Sequence, residues 1–201
     1  MSVNLQKGQK INLTKSSDTA LRAVMVGLGW DEVEQKRGWF APKPASIDCD
    51  ASAILCGADG KVISREVNQS VVYFGNLRGA NDSIIHQGDN LTGEGDGDDE
   101  QILVNLQQVP NQIDKIVFVV NIYDARVKRQ HFGLIKNAFI RIVDIQKRVE
   151  ICRFNLSDNY NDMTGLIVGE IYRREGDWKF NAIGQPIKEA SRLDSLIAYY
   201  R

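Results

Sequence analysis

The sequence predicts an all-β chain, a β-sandwich of two antiparallel sheets closed by a short C-terminal helix. Short apolar runs rich in Val, Ile, Phe and Tyr recur along the chain and are cut by Gly, Asn and Asp. No alternation of strands with long helical patterns is present, which excludes a doubly wound parallel sheet. A stripe at helical spacing occurs once, near the C-terminus. The 201 residues, 43% hydrophobic and 25% charged, suit one globular domain over 1–201 with a real core.

In chain order, strands are expected at 21–28, 46–55, 61–64, 70–74, 101–106, 115–123, 137–144, 149–155, 165–172 and 177–183. Residues 124–136 break the pattern and read as a long basic connection with one helical turn. Pro186 can open the last helix, because its missing N–H has no partner at that position anyway. Ile187, Ala190, Leu193, Ile197 and Tyr200 then form one apolar stripe, which reads as a lid packed on the sandwich.

Charge is unevenly placed. Residues 88–100, GDNLTGEGDGDDE, carry six acids and four glycines and no Lys or Arg. Removing those six from the chain's 26 acidic residues leaves 20 against 25 Lys and Arg, so a formal net charge of −1 hides a polarised molecule. Two carboxylates about 4 Å apart repel by about 4 kcal/mol at the effective dielectric of a protein surface. Strands on both sides hold this segment's ends, so a cation is the natural counterweight.

Gly93, Gly95 and Gly97 alternate with Glu94, Asp96 and Asp98. Such glycines let backbone curl around a small centre. Carboxylate and carbonyl oxygens with no clustered His or Cys suit calcium or magnesium, and a flexible, acid-dense site leans towards calcium. The spacing is not that of an EF-hand: counted from Asp89, positions 3 and 5 are Leu91 and Gly93, and position 6 is Glu94.

In SIDCDASAIL (46–55), Ile47, Cys49, Ala51, Ala53 and Leu55 alternate to one face, leaving Asp48, Asp50 and Ser52 on the other. If the acidic segment lies over that face, Asp48, Asp50, Asp89, Glu94, Asp96, Asp98, Asp99 and Glu100 converge, with Asn90 and Thr92 as neutral oxygens. That donor set is enough for two calcium ions.

These motifs resemble the TerD-domain family of bacterial tellurium-resistance and stress-response proteins. The resemblance runs through LQKGQKINL (5–13), VGLGWD (26–31), SIDCDAS (46–52), the acidic segment, IDKIVFVVNIYDA (113–125), NAFIRIVD (137–144) and GEIYRREGDWKFNAIGQ (169–185). It implies a β-sandwich holding two calcium ions through the two acidic segments, and a link to resistance against tellurite, other chemical insults, phage and colicins. It brings no catalytic residues. Cys49 stands where the family often has Leu, which raises the question of thiol chemistry with tellurite.

Other candidates weigh less. Cys49, Cys56 and Cys152 suit neither a zinc site nor a disulfide framework, and each reads as a small buried hydrophobe. His86 and His131 lie in no catalytic pattern. Trp30, Trp39 and Trp178 read as core or core-edge residues, and GWFAPKP (38–44) could be a binding loop. Arg173, Arg174 and Lys179 read as a solvated sheet edge, so no nucleic acid is expected.

The reading is therefore a non-enzymatic calcium-binding stress-response module. The rival is a metal-dependent hydrolase or phosphoryl-transfer enzyme using the same acids, with His86 as helper. The N-terminus lacks the apolar run of a signal peptide, no segment approaches a membrane span, and the odd cysteine count suits a reducing compartment. Expected partners are other stress-response or membrane-associated proteins, with calcium-dependent contact to an anionic membrane surface. The expected location is cytoplasmic, peripheral to the inner membrane where that contact forms.

Overall fold

The computed structural model describes residues 2–14, 21–32, 46–88, 97–156, 160–190 and 192–201. The strands in chain order are β1 (Val3–Leu5), β2 (Lys10–Asn12), β3 (Ala23–Glu32), β4 (Cys49–Cys56), β5 (Val71–Val72), β6 (Arg78–Gly79), β7 (Ile84–His86), β8 (Glu100–Asn105), β9 (Lys115–Ile122), β10 (Ile135–Asp144), β11 (Val149–Asn155), β12 (Gly165–Arg174) and β13 (Asp177–Ile187). Three short helices accompany them: α1 (Val67–Ser70), α2 (Ala125–Lys128) and α3 (Leu193–Ile197).

One sheet has the order β1-β11-β10-β3-β8-β7-β6, the other β2-β13-β12-β9-β4-β5. All pairings are antiparallel except β1 with β11, which run parallel. The sandwich is therefore as expected apart from that one strand. Strands β1, β2, β6 and β7 are each two or three residues long, too short to show a period in the sequence.

Period-two burial explains the layers. Along β8, Glu100, Ile102 and Val104 are buried and their neighbours half-buried. Val24, Val26 and Leu28 of β3 meet Ala51, Ala53 and Leu55 of β4 and Phe118 of β9 in a core between the sheets. Strands β4 and β9 are buried on both faces, because a second apolar cluster lies outside them: Ile54, Cys56, Val117 and Val119 pack with Ile187, Ala190, Leu196 and Ile197. The C-terminal segment is the expected lid.

The helix of that lid begins later than expected. Pro186 lies inside β13, and the helix covers only Leu193–Ile197. Pairing across the sheet carries the chain past the proline, with Leu166 opposite it, and an apolar stripe cannot reveal that long-range contact. The expected strand at 61–64 reduces to one bridge, Cys56 to Val62. The connection 124–136 does hold one helical turn, α2, entered and left through Asp124 and Arg129, both at φ 53°.

Arg173 is not on a solvated edge. Its strand β12 lies between β9 and β13, and its guanidinium stacks over Trp178 at 4.3 Å and donates to the carbonyls of Val109 (2.6 Å) and Ile113 (3.1 Å). Trp30 and Trp178 are core residues; Trp39 and the stretch 38–44 fall outside the described residues.

Candidate functional site

Both ends of the acidic segment meet on one residue. Strand β5 pairs with β4 only at Ala53 and Ile54, so the backbone groups of Ala51 on that side are left to side chains. Glu100 Oε2 accepts the Ala51 N–H at 2.6 Å, and His86 Nε2 lies 3.2 Å from the Ala51 carbonyl. Glu100 opens β8 and His86 closes β7 in the first sheet, whereas Ala51 belongs to the second. The two side chains therefore tie the sheets together at the edge from which residues 89–96 depart.

The imidazole has a defined proton. Gly88 N–H donates to His86 Nδ1 at 3.1 Å, so that nitrogen presents its lone pair and Nε2 carries the hydrogen. That hydrogen is shared between the Ala51 carbonyl and Glu100 Oε2, 3.5 Å away. The expectation of His86 as a helper base finds both ring nitrogens engaged and the side chain buried.

Asp98 faces elsewhere. It lies over Gly27 on the outer face of the first sheet, in a fork with Arg141: Nε to Oδ1 at 2.7 Å and Nη2 to Oδ2 at 3.0 Å. Gln101 adds a third donor at 3.1 Å. Register explains the contact, since Gly27 stands between Gln101 of β8 and Arg141 of β10. Arg141 also reaches Glu150, 3.4 Å away. Asp99 prolongs the ladder: its N–H donates to the Leu28 carbonyl at 2.8 Å, and its Oδ2 accepts the Trp30 N–H at 2.7 Å. Burial, opposed by that Trp30 bond and aided by Asp31 and Asp98, pushes the Asp99 carboxyl up.

Asp48 and Asp50 are directed as the alternation predicts. Asp48 lies 3.7 Å from Lys128 Nζ, and its carbonyl accepts the Tyr123 N–H. Asp50 is buried on the outer face of the second sheet and accepts Asn121 Nδ2 at 3.3 Å. Asp89, Asn90, Glu94 and Asp96 lie outside the described residues. The acids that are described do not gather into one cage: among the described residues, no group of three or more His, Cys, Asp or Glu side chains is placed to hold a metal. The expected convergence of Asp98 with Asp50 is not found, because Arg141 holds Asp98 on the opposite face.

Cys49 is fully buried between the sheets. Burial, then the charges of Asp50, Glu100, Asp48 and Asp99, push its thiol well above the ordinary range. A thiolate that could meet tellurite is disfavoured there. Burial likewise pushes Cys56 and Cys152 up to about 12.

The TerD domain model matches residues 1–200. The stress response protein SCP2 of Bacillus subtilis (strain 168) is 46% identical over 204 residues, spanning 100% of both chains. The tellurium resistance protein TerD of Serratia marcescens is 41% identical over 200 residues, spanning 100% of this chain and 97% of that one. Among solved structures, a homologue of telluride resistance protein TerD from Streptomyces coelicolor A3(2) aligns with a TM-score of 0.60, covering 85% of this chain and 92% of its own. At 22% identity that likeness speaks for the fold alone. With a two-sheet sandwich, the acidic segment and near-complete coverage at these identities, the chain belongs to the TerD family of tellurium-resistance and stress-response proteins.

Proposed function

We propose that this chain is a calcium-binding stress-response protein that acts as a non-enzymatic binding or scaffold module. The observation that carries this reading is the meeting of His86 and Glu100 on Ala51, next to Asp50. His86, which accepts the Gly88 N–H, and Glu100 are thereby held beside the strand that carries Asp50. The donor set fits a hard cation: carboxylates and amide oxygens, with the nearby imidazole already committed to backbone partners.

In this reading the ligands come from Asp48, Asp50, Asp89, Asn90, Glu94 and Asp96, with Asp99 and Glu100 at the anchored end and Asp98 serving as the anchor through Arg141. Two bound calcium ions would neutralise these acids and order the segment into a surface for a partner protein or an anionic membrane. A cytoplasmic location belongs to the same proposal. Among the described residues, no helix is long and apolar enough to cross a membrane. The rival hydrolase would need a base, and His86 is engaged at both nitrogens.

Calcium calorimetry on EDTA-treated protein tests the reading. Two ions should bind, and the melting temperature should rise because each site adds stability as RT ln(1 + [Ca]/Kd), about 2.7 kcal/mol per site at a hundredfold excess over Kd. Asp96→Ala and Asp50→Ala should each remove most of that rise. An unchanged melt across the titration overturns calcium binding, and phosphodiester turnover with magnesium or manganese overturns the non-enzymatic role.

A further inference from the structure

A cavity of about 340 Å³ opens on the outer face of the second sheet, between the strands and the C-terminal lid. Its polar floor interrupts an otherwise apolar surface. Asp50 and Ser52 of β4 and Asn121 of β9 line it, just beyond the Ile54, Val117 and Val119 cluster. Ser52 and Asn121 are 1% and 3% exposed, and Ser52 Oγ and Asn121 Oδ1 have no hydrogen-bond partner among the described residues. Buried oxygens left in this state are costly, and a donor-rich guest would satisfy them.

The walls identify the guest. Tyr73, Phe74 and Tyr123 line the same cavity, and Phe74 and Tyr123 are large side chains left about half exposed, at 45% and 47%. Asp124 and Asp194 add carboxylates, against Arg192, so the lining holds three acids and one base. Acids with aromatic faces attract cations. A bare metal ion would want oxygen on every side and would leave rings and the aliphatic Val67 and Leu193 without a role. An ammonium on an alkyl stem uses both parts. Its three N–H donors match the carboxylate of Asp50, the Ser52 hydroxyl and the Asn121 amide oxygen, and the stem lies along the rings. The chain makes a similar contact internally, where Lys128 Nζ sits 5.2 Å over the Tyr123 ring and 3.7 Å from Asp48.

We propose that the cavity floored by Asp50, Ser52 and Asn121 and walled by Tyr73, Phe74 and Tyr123 binds a primary alkylammonium group. The site shares Asp50 with the calcium reading and does not rest on it. Both a free diamine and a lysine side chain carry this chemistry. Calorimetry of the full chain in EDTA with 1,4-diaminobutane, and separately with a short lysine-containing peptide, distinguishes the sources. One site is expected for at least one of them, and none for the neutral 1,4-butanediol.

Ser52→Ala and Asn121→Leu should each weaken binding by about tenfold or more, as expected for a lost hydrogen bond to a charged donor. Ser52→Ala should not lower the melting temperature by more than a few degrees, because it removes an oxygen that has no partner among the described residues, whereas Asn121→Leu also takes the Nδ2 donor from Asp50 and should cost some stability. Equal binding of the diol, no binding of either ammonium, or wild-type affinity in both variants overturns the proposal. Protein that takes calcium but no ammonium refutes this inference alone; protein that takes ammonium but no calcium refutes the calcium reading alone.

Discussion

Arg141 grips Asp98 with two parallel hydrogen bonds, of 2.7 and 3.0 Å, across the glycine at position 27. The Asp98 carboxylate has no solvent exposure and the Arg141 side chain retains 27%. This pair, made between an acid of the glycine-rich segment and a strand 43 residues away, fixes where that segment leaves the first sheet.

Removing the guanidinium strands a buried carboxylate. Arg141→Met is expected to cost about 3 kcal/mol, in the range for breaking a buried pair from one side. Urea denaturation measures it, and a double-mutant cycle with Asp98→Asn should return a coupling of about 1 kcal/mol or more. The loss should be the same with EDTA as with calcium. A deficit that appears only with calcium would make Asp98 a ligand instead of an anchor.

Gly27 is required by the same contact. A Cβ there would fall inside van der Waals contact with all three atoms of the Asp98 carboxylate group. Gly27→Ala is expected to destabilise by about 1–3 kcal/mol, the usual cost of overpacking. In an Asp98→Ala background most of that cost should vanish; additive losses in the two variants would place the strain elsewhere.

Glu150 couples the neighbouring charges to pH. Burial opposes its ionisation, but the hydrogen bond from Ser2 and the charges and bonds of Arg153 and Arg141 outweigh burial and hold its carboxyl below the usual range. A carboxyl depressed in the folded state contributes stability above its unfolded pKa of about 4.3, and that contribution is lost as pH falls through the folded value. Glu150→Gln should therefore be less stable than the parent at pH 7, and the gap should close on acidification below pH of about 4. A gap constant from pH 7 to 3 would contradict the linkage.

The thiols should be silent. Cys49, Cys56 and Cys152 are buried and free, and their pKa values are all raised. At pH 8 the native protein should react with Ellman's reagent far more slowly than in guanidinium, where all three thiols titrate. Fast labelling of one native thiol would reopen direct chemistry between a cysteine and tellurite.

Local pattern determined much of this protein. Alternation along 46–55 correctly placed Cys49 in the core and Asp50 on the opposite face, because strand geometry sends successive side chains to opposite sides whatever the partner strand. The all-β class, the apolar lid and the concentration of acid between 88 and 100 are also properties of neighbouring residues. Partner choice is not. The Arg141 fork, the Glu100 and His86 clamp on Ala51 and the carriage of Pro186 within β13 each join residues tens of positions apart. Register between strands decides those contacts, and register comes from how the whole core packs. For that reason the sequence counted Asp98 and Asp50 as acids of one site, and only the tertiary structure separated them onto opposite outer faces of the sandwich.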